Sequence, residues 1–151
     1  GSEMCIRDSS GHRPQGLLLL DCDDFKGLND SYGHLAGDHA LQCFGRILAS
    51  VTGKDDIACR LGGDEFCVLL MKADADSLSR TAEFVLEAMR HLIAYPGATV
   101  GACSLSVGMV LIDEDHHWND AYSRADQALY LAKREGGNRA RWFLEQSGDL
   151  G

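Results

Sequence analysis

Two adjacent glycines, Gly62 and Gly63, separate two apolar segments of the chain, residues 57–59 and 66–70. Because glycine adopts positive φ angles at no steric cost, a Gly-Gly pair in this position predicts a two-residue turn between antiparallel strands. Asp64 and Glu65 follow the turn directly. Adjacent carboxylates repel each other unless a cation lies between them. The segment therefore predicts a β-hairpin whose tip either binds a divalent metal and a phosphate ester or carries two solvated acids.

A second acidic segment follows a predicted buried strand. Residues 17–20 are four consecutive leucines, a run long enough for a buried strand and too short to cross a membrane. Asp21 ends this run, and carboxylates at such a position are costly unless a cation or a hydrogen-bond donor compensates them. Mg²⁺ prefers oxygen ligands, commonly one or two carboxylates together with substrate phosphates. One carboxylate from this strand and one from the hairpin would suit such a site, although acidic strand ends are also common without a metal.

The remaining elements follow from periodicity and breakers. The sequence predicts strands at about 17–22, 57–61, 65–70 and 103–112, with a closing strand at 141–143. Helices are predicted at about 38–51, 77–93 and 119–135, the last ending at Gly136-Gly137. Pro96-Gly97 is expected to break the chain. Strands joined by one tight hairpin, outside a simple βαβα alternation, favour an α+β fold with an antiparallel or mixed sheet.

Several motifs in fixed order identify a resemblance. They are Asp21-Cys22-Asp23-Asp24-Phe25-Lys26, Asn29-Asp30, Tyr32-Gly33-His34, Gly37-Asp38, the hairpin segment 60–66, Ser106-Val107-Gly108, and the helical segment 124–133. With these motifs, the chain from Leu17 to about Phe143 resembles the GGDEF domain of diguanylate cyclases. The resemblance implies a palm-like, ferredoxin-related nucleotidyl cyclase fold, in which helices flank a central mixed or antiparallel sheet.

The resemblance also implies a reaction. Diguanylate cyclases condense two GTP molecules into cyclic di-GMP and release two pyrophosphates, at the interface of a transient homodimer with two Mg²⁺ or Mn²⁺ ions per active site. By resemblance, Asp21 and Asp64 bridge the metals, and the main-chain carbonyl of Cys22 is a third ligand. A backbone ligand explains how a cysteine can stand beside hard Mg²⁺. Glu65 would be either a further metal ligand or the base that takes the 3′-hydroxyl proton.

Substrate contacts are implied in the same way. Lys26, Lys133 and the backbone amides around Asp24 and Phe25 would hold the β- and γ-phosphates, next to the open hairpin tip at Gly62 and Gly63. Asn29 and Asp38 would recognise guanine, because a carboxylate can accept hydrogen bonds from its N1–H and N2–H together. Adenine has no such pair of donors, so Asp38 should reject ATP. The alternative is that Asp38 only caps a helix that begins after Gly37.

Three departures from the family pattern bear on activity. Gly137 stands where the family usually has a phosphate-binding arginine. At the product-inhibition site, Asp56 is present but Gly53 replaces the arginine, and Lys54 is one residue out of register, so no feedback inhibition is expected. The usual opening turn of the family is missing before Gly16. Two alternatives therefore remain: a degenerate GGDEF domain that binds GTP or a cyclic dinucleotide as a regulatory module, and a related palm cyclase or polymerase that uses another nucleotide.

Composition agrees with one globular domain. At 151 residues with 45% hydrophobic content, the chain is long enough for a core and short for two domains. We expect a flexible leader over 1–16, including a vector-derived Gly-Ser pair, the GGDEF domain over 17–145 and a flexible tail over 146–151. Six cysteines without paired spacing predict free, mostly buried thiols. The absence of a signal peptide or a long apolar run predicts a cytoplasmic location without a membrane segment.

Net charge limits the partners. The formal charge of −9 argues against a nucleic-acid polymer as ligand, because phosphate backbones attract basic surfaces. A single nucleotide that arrives with Mg²⁺ meets no such barrier, so GTP and cyclic di-GMP remain the expected ligands. Two such acidic domains should repel each other at low salt. We therefore expect a monomer in isolation that dimerises for catalysis.

Overall fold

The leucine run forms the central strand of a five-stranded sheet. A computed structural model describes residues 14–92, 103–113 and 117–144. The strands are β1 (Gln15–Cys22), β2 (Ile57–Gly62), β3 (Glu65–Leu70), β4 (Leu105–Ile112) and β5 (Arg139–Trp142), in the sheet order β2-β3-β1-β4-β5. β1 is antiparallel to both neighbours, β3 and β4, whereas β5 is parallel to β4. The helices are α1 (Phe25–Tyr32), α2 (His34–Ser50), α3 (Ala75–Arg90) and α4 (Trp118–Arg134).

Alternate leucines of β1 face two different cores, because successive strand side chains point to opposite faces of a sheet. Leu18 and Leu20 belong to the larger core, which α2 and α3 complete. Leu17 and Leu19 belong to a smaller core under α4. Gly108 of β4 allows this helix to approach closely, since a Cβ built there would lie 2.2 Å from the carbonyl oxygen of Ala125. The sheet is therefore covered on both faces, which explains why β1 is apolar at consecutive positions.

The α+β class with a mixed sheet and flanking helices is confirmed. Each predicted strand is present, but β1 begins at Gln15, so the last two residues of the predicted leader belong to the sheet. Residues 1–13, the break at Pro96-Gly97 and the tail over 146–151 lie outside the described residues. Within the described ranges, no helix combines the length and apolarity needed to cross a membrane.

Two local predictions were wrong, and one helix was missed. The hairpin turn consists of Gly63 and Asp64 and not of the two glycines, because Gly62 still pairs with Glu65 after a register shift. The helix predicted from 38 begins at His34. Helix α1 was not predicted at all, because its eight residues contain Gly27 and bury only Leu28, which leaves no helical apolar pattern to detect.

The described cysteines are all free thiols, as predicted. Four of them are buried, at positions 22, 43, 67 and 103. Cys59 is exposed, because it lies on β2, a strand at the edge of the sheet that is exposed along its whole length.

Candidate active site

Four segments of the chain meet at one end of the sheet and form a cleft of about 590 Å³. They are the end of β1, helix α1 with its preceding loop, the tip of the β2–β3 hairpin and the last turn of α4. His34, at the start of α2, completes the lining. The lining residues are Asp21, Cys22, Asp24, Phe25, Lys26, Asn29, Asp30, His34, Asp64 and Lys133. The two acidic segments separated by more than 40 positions in the sequence are thus brought together by the pairing of β1 with β3.

Asp21 and Asp64 form the acidic centre of the cleft. The backbone of the two segments is tied together where the amide of Cys22 donates to the carbonyl of Asp64, at 3.4 Å. The Asp21 atom Oδ1 is buried and has no hydrogen-bond partner among the described residues. Burial raises the pKa of Asp21 to about 6, with the nearby Asp64 carboxylate adding to the rise and Lys133 opposing it. A buried carboxylate oxygen without a donor, beside a second carboxylate, is a position at which a cation would be stabilised.

Lys133 is the basic residue closest to this acidic centre in the described structure. It lies in the last turn of α4, and its Nζ atom is 3.2 Å from Oδ2 of Asp21. The same ammonium donates to the carbonyl of Cys22 at 3.4 Å and lies 3.7 Å from the Asp23 carboxylate. Its side chain is about one-third exposed, so the ammonium compensates the acids and still faces the cleft.

Asp23 does not line the cleft but joins the segments behind it by hydrogen bonds, a role that the sequence analysis did not predict. Its carboxylate accepts hydrogen bonds from the hydroxyls of Ser104 at 2.7 Å and Ser106 at 2.6 Å, and from the amide of Asn138 at 2.8 Å. Ser106 is a fully buried polar residue. The available sequence signal was the Ser-x-Ser spacing at 104 and 106, which places both hydroxyls on one face of a strand.

Gly137, where the family usually has arginine, lies against this carboxylate. A Cβ built on Gly137 would lie 2.8 Å from Asp23, and its φ of +75° is in the left-handed region that favours glycine. The following residue, Asn138, is also left-handed, with φ of +56°. The close approach of this turn to Asp23 is therefore a local reason for glycine at 137.

The loop before α1 presents backbone amides to the cleft. Asp24 has a left-handed backbone (φ +49°, ψ +47°) and caps the helix, with its carboxylate accepting from the amide of Gly27 at 3.1 Å. The amide of Leu28 is bonded to the Asp24 carbonyl. The amides of Phe25 and Lys26 belong to the first turn, which has no intrahelical acceptor for them. Such a helix start attracts anions, phosphate groups above all.

The Lys26 ammonium pairs with Asp30 at 2.9 Å. Both side chains are mostly exposed, at 85% and 66%. Pairs of this kind contribute little to stability, so the Lys26 ammonium can turn towards an anion at little cost.

Asn29 also lines the cleft, and Gly37 lies against its side chain. Oδ1 of Asn29 is buried without a hydrogen-bond partner in the described structure. A Cβ built on Gly37 would lie 1.8 Å from this oxygen, so only glycine at 37 leaves room for the amide. Asp38 is exposed and is not among the cleft-lining residues. It follows His34 by four positions on α2, which puts both on one side of the helix.

The alternative role of Asp38 as a helix cap is wrong. Helix α2 begins at His34, and its N-terminal capping position is Gly33, so Asp38 lies inside the helix, beyond its first turn. The sequence misled because the buried residues at the start of α2, Ala36, Gly37 and Ala40, are small and give little apolar signal. The first turn is held by backbone bonds from Ala36 and Gly37 to Gly33.

Glu65 is not among the residues that line the cleft. It lies opposite Asp21 in the β1–β3 register, on the sheet face that α4 covers. Its carboxylate hydrogen-bonds with Tyr122, and burial together with the nearby Asp126 raises its pKa. Because directly opposed residues of antiparallel strands project to the same sheet face, Glu65 is nevertheless a cross-strand neighbour of Asp21, beside the acidic centre.

The hairpin tip itself is open. Gly62 and Gly63 both have positive φ, at +156° and +53°, and apart from the adjacent residues no atom of the described chain lies within 4 Å of a Cβ built on either. The carbonyl of Gly63 accepts a hydrogen bond from Nε of Arg60 at 2.7 Å, and this bond stabilises the turn. A large ligand can therefore approach Asp64 across these two residues.

At the position of the family's inhibition site, the acidic residue that is present is bonded to backbone amides. The carboxylate of Asp56 accepts from the amides of Gly53 at 2.7 Å and Met71 at 2.9 Å. Both of its oxygens thus fix the connection between α2 and β2.

Comparisons with known proteins define the class and then the family. Among solved structures, the GGDEF domain of DgcB from Caulobacter crescentus in complex with c-di-GMP has a TM-score of 0.82 at 28% identity, covering 95% of this chain and 83% of that one. The active GGEEF domain of a diguanylate cyclase from Vibrio cholerae has a TM-score of 0.81 at 29% identity, covering 88% of this chain and 85% of that one. The fold is therefore that of GGDEF-type domains.

The sequence comparison agrees with the structural one. The family model for the diguanylate cyclase GGDEF domain matches residues 3–139. This chain belongs to the GGDEF domain family. Diguanylate cyclase A of Treponema denticola is 36% identical over 87% of this chain, and diguanylate cyclase TpbB of Pseudomonas aeruginosa is 37% identical over 86%. The chain spans about a third of the length of these relatives, 36% and 31% respectively.

Proposed function

We propose that this chain is the catalytic domain of a metal-dependent diguanylate cyclase that acts in the cytoplasm and condenses two GTP molecules into cyclic di-GMP and two pyrophosphates. One observation carries the proposal. The described structure has two buried side-chain atoms without a hydrogen-bond partner, Oδ1 of Asp21 and Oδ1 of Asn29, and both residues line the same cleft. Buried polar atoms are normally satisfied, so two unpaired ones in the same cleft indicate ligand groups beside both residues.

The acidic end suits a divalent metal. Asp21 and Asp64 supply carboxylates. The carbonyl of Cys22, which accepts a hydrogen bond from Lys133 beside them, is a third oxygen that could bind a metal. Within the described ranges, no group of three His, Cys, Asp or Glu side chains could hold a metal, so the site rests on two carboxylates and one carbonyl. Mg²⁺ accepts such a set because it completes its shell with water and substrate phosphates. Two bound Mg²⁺ or Mn²⁺ ions would polarise the α-phosphate, lower the pKa of the attacking hydroxyl and neutralise the leaving pyrophosphate.

The chain's own groups would hold the triphosphate. Lys133 approaches the acidic centre from α4, and Lys26 lines the cleft in the first turn of α1. Two cations and a helix start around one cleft compensate the negative charge of a nucleotide without a globally basic surface. At the other end, the amide of Asn29 and the carboxylate of Asp38 would bind the guanine edge.

The reaction needs two copies of the domain. The described residues of one chain form one such cleft, whereas the product joins two nucleotides by two equivalent bonds. Two GTP-loaded domains facing each other would align each 3′-hydroxyl with the α-phosphate bound by the other copy, so that proximity supplies much of the rate. Glu65 would act as a further ligand or as the base after giving up its hydrogen bond to Tyr122, which its position on the hairpin next to Asp64 allows.

The deciding experiment is incubation of the chain with GTP and Mg²⁺, followed by mass analysis of the products. We expect cyclic di-GMP and pyrophosphate, with no cyclic product from ATP. Asp64→Ala should abolish synthesis and leave the unfolding temperature nearly unchanged, because a turn carboxylate contributes little to stability. Asp55→Ala, which removes an exposed acid of a neighbouring loop, is the matched control and should retain activity. Synthesis by Asp64→Ala would contradict the proposal.

A second candidate is a GTP- or cyclic di-GMP-binding module without turnover. Gly137 favours it, since the usual phosphate-binding arginine is absent there and Asp23 occupies the adjacent space. Calorimetric titration with GTP separates the two functions. Tight binding without pyrophosphate release supports the module, whereas release at any rate that Asp64→Ala abolishes supports the cyclase.

We also propose that cyclic di-GMP does not inhibit the domain through the Asp56 position. The Asp56 carboxylate is engaged by two backbone amides, and Gly53 supplies no guanidinium. Added cyclic di-GMP should therefore leave the initial rate unchanged in wild type and in Asp56→Asn alike. Inhibition that Asp56→Asn relieves would overturn this part of the proposal.

A further inference from the structure

Two cysteines outside the cleft lie directly opposite each other on the β2–β3 hairpin. Cys59 and Cys67 are partners in the antiparallel register, and their Sγ atoms are 3.6 Å apart. Directly opposed residues of antiparallel strands have Cα atoms about 4.5–5.5 Å apart. This separation is within the range of about 4.4–6.8 Å that a disulfide requires. The two sulfurs can therefore be joined by side-chain rotation, without moving either strand.

Access to the pair is one-sided. Cys59 lies on the edge strand and is exposed, whereas Cys67 is only 3% exposed and packs with the core under α4. The other adjacent thiols in the described structure, those of Cys22 and Cys103, are both buried, at 3% and 2% exposure. Of the described thiols, only that of Cys59 is both open to a small oxidant and in contact with a second thiol.

We propose that Cys59 and Cys67 are a redox modification site, which forms a reversible cross-strand disulfide with hydrogen peroxide as the oxidant. In the first step the Cys59 thiolate attacks one peroxide oxygen, the O–O bond breaks, and the departing hydroxide takes a proton to become water. Cys59 is then a sulfenic acid. In the second step the Cys67 sulfur attacks the Cys59 sulfur, the S–O bond breaks, and the hydroxyl group leaves with the Cys67 proton as water. Two thiols and one peroxide give one disulfide and two waters.

The environment of Cys67 assigns the order of the two steps. Burial, together with the contact to Cys59, raises the pKa of Cys67 to about 12. Since the thiolate is the form that reacts with peroxide, Cys67 is protected from direct oxidation. Its retained proton is the one that the leaving hydroxyl group requires in the second step. Cys59 is therefore the residue that peroxide oxidises, and Cys67 is the resolving one.

The disulfide would join the two strands that carry the hairpin tip. Cys67 is three positions from Asp64, and β2 is paired with the rest of the sheet through β3. Edge strands open more readily than central ones because fewer backbone bonds hold them. A covalent link at this point would keep β2 paired beside the tip during local opening.

The test is peroxide treatment of the full chain, followed by thiol counting and peptide mapping by mass spectrometry. We expect the number of titratable thiols to fall by two, a linked peptide pair containing Cys59 and Cys67, and full return of both thiols with a dithiol reductant. Amide hydrogen exchange should slow in residues 57–62 after oxidation. Cys43→Ala, which removes a thiol outside the pair, is the matched control and should give the same link.

Two further variants separate the steps. Cys59→Ser should prevent all loss of thiol at Cys67, and Cys67→Ala should leave a Cys59 sulfenic acid that a dimedone reagent traps. Since Cys59 is exposed, its serine variant should fold like wild type, which circular dichroism checks. The proposal is wrong if peroxide takes Cys59 to the sulfinic acid while Cys67 stays reduced, or if Cys59 links instead to another cysteine or another chain.

Discussion

Asp21 experiences two opposing electrostatic effects at a single carboxylate. Burial and the neighbouring Asp64 disfavour its charge, whereas the Lys133 ammonium at 3.2 Å favours it. Burial is the largest of these effects, so the pKa is raised from its ordinary value of 3.8 to about 6. A cation bound between the two acids would reverse the balance, because it favours both charged forms. The residue is thus unfavourable for the metal-free protein and suited to the metal-bound one.

The first prediction concerns the stability of the metal-free protein as a function of pH. An acid with a higher pKa in the folded state binds its proton more tightly when folded, so stability decreases as pH rises from about 4 to about 6. Asp21→Asn removes this loss and should be more stable than wild type above pH 6, by at most about 3 kcal/mol, since one pKa unit corresponds to about 1.4 kcal/mol. Denaturant unfolding in EDTA across this pH range measures the difference.

Cyclic di-GMP synthesis should be abolished in the same variant, because an amide cannot replace the charged ligand. If Asp21→Asn and wild type have the same free energy of unfolding at pH 4 and again at pH 7, the pKa of Asp21 is not raised in the folded protein. Retained synthesis would show that Asp21 holds no metal.

The second prediction compares two glycines of α2. Gly37→Ala places a methyl group 1.8 Å from the Asn29 amide, so the amide must move and GTP binding should weaken by at least about tenfold, equivalent to about 1.4 kcal/mol. Gly45→Ala is the matched control, since nothing described lies within 4 Å of its Cβ position. It should bind GTP like wild type and gain up to about 1 kcal/mol of stability from helix propensity. Equal GTP affinities in the two variants would contradict the role of Gly37.

At the scale of elements, the end of β1 is connected to β4, α3 and α4 through one carboxylate. Asp23 accepts from two serines at the start of β4 and from the backbone of Asn138 in the α4–β5 turn. Arg90 of α3 donates to the side chain and the carbonyl of Asn138, at 2.9 and 3.2 Å. These contacts hold the turn that follows Lys133. The position of the lysine in the cleft therefore depends on packing between elements that are distant in the sequence.

The third prediction tests this connection. Asp23→Ala leaves the buried hydroxyl of Ser106 and the amide of Asn138 without their acceptor, which should lower the free energy of unfolding by about 2–4 kcal/mol. Asp55→Ala, at an exposed site, should change it by less than about 0.5 kcal/mol. Chemical denaturation measures both. If Asp23→Ala lowers the free energy of unfolding no more than Asp55→Ala does, water replaces the carboxylate without cost.

For the whole molecule, the negative charge of each chain opposes the pairing of two chains that the proposed reaction needs. A formal charge of −9 on each chain disfavours association at low salt, yet the proposed product requires two clefts to face each other. Bound metal ions would reduce the charge at the facing surfaces. Association is therefore expected to be weak and to depend on ligands.

The fourth prediction is that specific activity rises with enzyme concentration. Because only the dimer would turn over, dilution of about a hundredfold should lower the rate per chain. Fusing a dimeric coiled coil to the N-terminus should raise it, since tethering increases the effective concentration of the second domain. A fused monomeric helix is the control. Constant specific activity across the dilution, with a monomer by light scattering throughout, would exclude the dimer mechanism.

The sequence by itself determined the hairpin, the buried central strand and the two acidic segments. These features depend on local chemistry: glycine permits a turn, although the turn falls on Gly63 and Asp64, four leucines in a row need two covered faces, and adjacent carboxylates need compensation. The order of motifs along the chain was sufficient for the family. Helix α1 escaped prediction because it is held by the Asp24 cap and by contacts with α2, and not by a helical apolar pattern.

Only the tertiary structure decided which acids act together. Asp21, Asp23 and Asp24 are nearly adjacent in the sequence, yet one faces the cleft beside Asp64, one fastens β4 and one caps α1. The reason is physical: β1 ends at Cys22, so Asp23 lies beyond the strand and Asp24 has the left-handed backbone that starts α1, whereas the pairing of β1 with β3 brings Asp21 to Asp64. The register of β2 against β3 likewise brought Cys59 against Cys67, because contacts between strands depend on pairing and not on composition.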